Sequence, residues 1–175
     1  MAEERIQSIL DELGLSIRVE ESPHSSYNIT EKVLRIRKDA SLAELLHEVG
    51  HALDQNLDEE DATFVEICLW LLFKEHLGEE DRETATICFN EAIAAEIRAW
   101  CIARHRFFQL KLADKPQEHR KFIKIMGKNI GAILKSSRIG LKELCNLPAY
   151  KAGEALIQGK SWQRVYQILQ EPVIF

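Results

Sequence analysis

Residues 41–55, Ser-Leu-Ala-Glu-Leu-Leu-His-Glu-Val-Gly-His-Ala-Leu-Asp-Gln, leave the backbone little choice. Ser41 is a good helix N-cap, and Glu44, three residues on, completes a capping box. Leu42, Leu45, Leu46, Val49 and Leu53 then recur at helical spacing, forming an apolar stripe that has to be covered. No proline interrupts positions 45 to 53, and Glu48 is the one charged residue among them. The expectation is a helix from Ser41 to about Gln55, with one face buried.

That helix carries His47-Glu48-Val49-Gly50-His51, a His-Glu-x-x-His pattern. Two histidines four residues apart lie one turn apart on one helical face, where they can share a metal ion. Glu48 flanks such an ion without ligating it and is placed to take a proton from a bound water. Zinc lowers the pKa of its bound water to about 7, so a hydroxide nucleophile exists at neutral pH. The alternative is an exposed helix that happens to hold two histidines.

The third ligand sets the class. A histidine six residues past His51 would point to the metzincin pattern, but that position is Leu57, and position 54 is Asp rather than Gly. The ligand is therefore expected from a later element, and Asn90-Glu91 through Glu96-Ile97-Arg98-Ala99-Trp100 is the best candidate. Five residues turn a helix by about 500°, so Glu91 and Glu96 point about 140° apart and cannot both face one ion. Glu96 falls within a stripe of Phe89, Ile93, Trp100, Ala103 and Phe107, whereas Glu91 shares a more polar side with Arg98 and His105. A carboxylate on a buried face is costly unless a cation or a salt bridge satisfies it. A metal would explain Glu96, an arginine partner would also do so, and Glu91 remains the competing ligand.

These segments resemble the ImmA/IrrE-like metallopeptidases and related gluzincins: a strand, then Leu-Leu-His47-Glu48-Val-Gly-His51-Ala-Leu, then Glu96 followed by Ala99 and Ala103. The resemblance implies Glu96 as third ligand and covers roughly residues 29 to 110. Asn90-Glu91-Ala92-Ile93 also resembles the Asn-Glu segment of thermolysin-like enzymes, which would make Glu91 the ligand. The supporting aspartate of those enzymes is replaced here by Ala95. Members of the resembled family often act in bacterial or phage regulation, some by cleaving a repressor.

Around these motifs the chain reads as α+β and mostly helical, with a short N-terminal β-element ahead of a zincin-type active-site helix and a helical body. Residues 3–13 suit an amphipathic helix ended by Gly14. Leu15 to Glu20 and Val33 to Arg37 alternate apolar and polar and suit strands, with a turn or loop over 22–26 between them. An acidic loop at 57–61, an apolar helix at 62–77, a long helix at 83–110 and another opened by Pro116 to about 137 should follow. Shorter helices are expected at 140–146, 149–158 and 161–170. With no Pro/Gly-rich linker and no repeat, 175 residues suit a single domain, with a core at about 29–110 and a helical extension over 112–175.

Composition narrows the class further. No run of about 18 apolar residues occurs, which speaks against a membrane span. The acidic start lacks the layout of a signal peptide, and the expected location is cytoplasmic. Cys68, Cys88, Cys101 and Cys145 lack zinc-finger or CxxC spacing and read as small buried thiols. The net charge of −5 conceals a division, for the segment 98–142 alone carries +10. Such a segment marks a surface for an acidic protein or nucleic acid, unless acidic elements of the same fold cover it.

The functional expectation is a zinc-dependent metallopeptidase acting on a peptide or protein substrate. His47, His51 and Glu96 hold Zn2+ and Glu48 is the general base. The rival readings are a zinc-stabilised helical module that binds an acidic partner or nucleic acid through 98–142, and a zinc hydrolase of non-peptide amides. Tyr27, His105, His119, Tyr150 and Tyr166 are conceivable oxyanion donors, each better explained by packing or surface exposure. His76 suits a helix C-terminus, His24 an exposed turn, and Trp70 and Trp100 the core. Asp54 and Glu44 could orient the histidines, although surface exposure is the simpler expectation for both.

Overall fold

The computed structural model describes residues 2–22, 25–54, 79–111, 115–140 and 145–174. Among them are six helices and one small sheet: α1 (Ala2–Leu13), β1 (Ser16–Glu20), β2 (Ser26–Asn28), β3 (Val33–Arg37), α2 (Leu42–Leu53), α3 (Glu79–Gln109), α4 (Pro116–Gly140), α5 (Pro148–Ile157) and α6 (Trp162–Leu169). The chain is α+β and mostly helical, with its sheet at the N-terminus.

Gly14 ends α1 in the left-handed region, at φ +63°, which a residue without a side chain adopts at little cost. The chain then turns directly into β1. The sheet has the order β1-β3-β2. β1 runs parallel to β3, with Ile17 opposite Leu34 and Val19 opposite Ile36. β2 runs antiparallel on the other side of β3, with Tyr27 opposite Leu34. The central strand is the buried one: Val33, Leu34 and Ile36 are all in the core. Ile17 and Val19 are exposed because β1 is an edge strand. β2 falls partly on the stretch expected to be a loop. Three residues are too few to show an alternating pattern, and the strand forms by pairing with β3.

α2 starts where its cap predicts. The Ser41 hydroxyl accepts from the Glu44 N–H, and the Glu44 carboxylate accepts from the Ser41 N–H at 2.8 Å. The helix ends at Leu53, two residues short of the expected Gln55, with Asp54 as its C-cap. Leu10, Leu15, Leu34, Ile36 and Val49 make one core cluster, so α1, the sheet and α2 close on each other.

The chain divides into two compact units, Met1–Asp54 with Ala99–Ile125, and Gln55–Arg98 with Met126–Phe175. In the first, Phe122 stacks on Phe107 with ring centroids 4.5 Å apart and meets Trp100 edge-on at 6.0 Å. In the second, Gly153 of α5 lets Ile97 and Leu134 pack close to its backbone: a Cβ there would lie 3.1–3.3 Å from their methyl groups. Asn90 of α3 is buried in the same unit, and its Oδ1 accepts from the backbone N–H of Ala149 at 3.0 Å.

The apolar helix at 62–77, with Cys68, Trp70 and His76, lies outside the described residues, as do the acidic loop, His24 and residues 141–144 of the helix expected at 140–146. Cys88 and Cys101 are buried, as expected, and Cys145 is half-buried. Among the described residues, no helix is long and apolar enough to cross a membrane.

Candidate metal centre

The covered face of α2 would be an ordinary core-facing stripe were it not for its histidines. His47 and Glu48 are buried, and His51 is half-buried. The two imidazoles meet edge-to-face, with ring planes at 74°, and their Nε2 atoms approach to 3.1 Å. Converging ring nitrogens of this kind either share a proton or share a cation. Two such nitrogens bound at roughly 2.0–2.1 Å to one tetrahedral ion would stand about 3.3 Å apart. The observed spacing is therefore close to what an ion requires.

Glu96 supplies the third donor. One ligand atom each from His47, His51 and Glu96 lie within 4.8 Å of one another, a group able to hold a metal ion. Glu96 is half-buried. Glu91 is exposed, with its carboxylate 3.9 Å from the Arg98 guanidinium. Of the two glutamates, Glu96 is the one whose carboxylate groups with the two imidazoles.

Two residues hold this geometry. Gly50, one position before His51, lies so close to α3 that an added Cβ would overlap the carbonyl group of Ala99. Ala99 is three residues beyond Glu96, and both it and the glycine are as small as the contact needs. Trp100 then stacks on His47 with centroids 4.3 Å apart and planes at 21°. Trp100 is fully buried, and its Nε1–H has no hydrogen-bond partner. An indole held at that cost fixes the plane of the imidazole.

The donor set is chemically suited to a divalent cation. Two neutral imidazoles and one carboxylate are common ligands of first-row metals. Glu48, buried on the same helix, adds a second carboxylate, and a cation offsets the cost of burying negative charge.

The remaining candidates fall elsewhere or take other work. Glu44 is occupied by the capping box and by Arg37, whose Nη2 lies 3.2 Å from it. Burial raises the Glu44 pKa, but the bonds from Ser41 and the Arg37 charge outweigh that, leaving it below its ordinary value. Asp54 is buried rather than exposed. Its backbone N–H donates to the His51 carbonyl at 3.2 Å. Continuing the helical rotation puts it within about 60° of His51, on the inward side of α2. Of the conceivable oxyanion donors, Tyr27 is half-buried in β2, where burial raises its pKa. Tyr150 is buried in α5. His105 is exposed and bonded to Gln109 at 2.9 Å. His119 stacks on Phe107, and Tyr166 meets Trp162 edge-on.

Trp100 was expected only in the core, and its stacking on His47 depends on how two helices meet. Gly50, next to His51 in a helix that otherwise favours larger residues, was the visible sign of a close approach. Comparison with protein-family models, curated proteins and solved structures finds no match to this chain.

Proposed function

We propose that this protein is a zinc-dependent metallopeptidase of the gluzincin type, in line with the resemblance of its motifs to the ImmA/IrrE-like enzymes. The observation that carries the reading is the convergence of His47, His51 and Glu96, from two helices, on one point. On this reading α2 is the zincin-type active-site helix, and those three residues are the ligands.

A zinc ion held there supplies Lewis acidity, making a water nucleophilic at neutral pH and polarising a peptide carbonyl. Glu48 follows His47 directly and stands about 60° from His51 around the helix. Its carboxylate takes the proton of the attacking water and returns it to the departing amine. Trp100 and Gly50 keep the ligands in register. The substrate class is a peptide or protein chain, and regulatory cleavage of a protein partner is the role that fits the resemblance.

Zinc content by elemental analysis, with peptide-library hydrolysis, tests the proposal. About one zinc per chain is expected in wild type and in Glu91→Ala, and none in Glu96→Ala. Glu48→Gln should keep its zinc and lose hydrolysis by about 10²–10⁴-fold. A zinc-free wild type after metal is supplied, or full activity in Glu48→Gln, would overturn it.

A further inference from the structure

Among the described residues, most cations on the outer face of α4 meet no acidic partner. Within α4, Arg120, Lys121, Lys124 and Lys128 are all exposed. At about 100° per residue they fall within an arc of about 100°, so they form a single stripe along the helix. Lys121 pairs with Glu118 at 3.1 Å. Among the described residues, Arg120, Lys124 and Lys128 make no ion pair. The other described positions of that arc, Gln117 and Gly131, carry no charge and no large apolar group.

We propose that this face of α4 binds the phosphate backbone of a nucleic acid. Charge density supports that partner. The stripe from Arg120 to Lys128 spans about 12 Å, one cation per roughly 3–4 Å, and a duplex strand carries one phosphate per roughly 3.4 Å of axis. Composition argues against a protein partner: specific protein interfaces are anchored by buried aromatic or aliphatic side chains, and this face has none. Phosphate binding needs only the cations. Phosphate contacts carry no sequence information, so binding through them is sequence-independent. The inference is independent of the metal centre, and zinc loading does not enter its test.

The test is fluorescence anisotropy of the full chain with a labelled 20-nucleotide thymidine strand and a labelled 20-base-pair duplex, at 50 and 200 mM salt. Four phosphate contacts predict a fall in affinity of about fifty-fold for the single strand and about 150-fold for the duplex over that range. The triple variant Arg120→Glu, Lys124→Glu, Lys128→Glu should lose binding at 50 mM salt. The milder Arg120→Gln, Lys124→Gln, Lys128→Gln variant keeps the test open if charge reversal disturbs folding. Binding to neither oligonucleotide, salt-insensitive binding, or a glutamine variant within twofold of wild type would overturn the proposal. So would displacement of the oligonucleotide by polyglutamate at equal charge concentration, which would assign the face to an acidic protein.

Discussion

Gly50 of α2 lies flat against the carbonyl of Ala99 in α3, with no room between them for a methyl group. Gly50→Ala must push the helices apart, at a cost of about 1–3 kcal/mol. Zinc content should fall with it, because Ala99 is one turn from Glu96. Gly127→Ala and Gly131→Ala are the controls: a Cβ at either meets nothing within 4 Å. Each should gain about 0.5–1 kcal/mol from helix propensity and keep its metal. Denaturant melts and elemental analysis of the three variants separate the outcomes.

Trp100 should act on the metal through His47. Trp100→Leu removes the ring that stacks at 4.3 Å, and zinc affinity should drop about 10–100-fold. Trp100→Phe restores an aromatic face and should recover most of it. Chelator competition measures both. Equal loss in the two variants would show that packing volume, and not the stacked ring, is what matters.

Asn90→Ala should cost about 1–3 kcal/mol by leaving the Ala149 N–H buried without its acceptor. Leu147, the N-cap of α5, offers no side-chain cap, so Asn90 does that work from another helix. Zinc content should not change. An Asn90→Ala variant that lost its metal while staying folded would revive the thermolysin-like alignment at Asn90-Glu91.

Glu44 ties the stability of the histidine-bearing helix to pH. Its folded-state pKa lies below the ordinary 4.5, because Ser41 and Arg37 outweigh the opposing effect of burial. A carboxylate shifted this way adds stability above pH 4.5, and the contribution disappears as the pH falls through the lower folded value. The midpoint difference between wild type and Glu44→Gln should therefore be constant from pH 5 to 7 and shrink below about pH 4.5. Urea melts across that range check it.

What was legible in the sequence follows from locality. The Ser41–Glu44 capping box, the Gly14 stop and the Pro116 start depend on neighbours within four residues, and each appears where expected. That Glu96 and Glu91 face different ways was readable as a helical angle, and it is Glu96 that groups with the histidines. β2 was not, since its three residues are a strand only because β3 offers an edge. The burial of Asp54 also escaped, since an aspartate at a helix end is ordinarily solvated.

The core of Leu10, Leu15, Leu34, Ile36 and Val49 closes within the first fifty residues of the chain. Its loops are short, and the entropy lost in closing a loop grows with its length. The two histidines thus ride on the segment that is cheapest to assemble. Glu96 comes from 45 residues beyond His51, and a cation held by all three donors would cross-link that span. Such an ion would stabilise the folded chain by binding it in preference to the unfolded one, in a protein whose described cysteines form no disulfide.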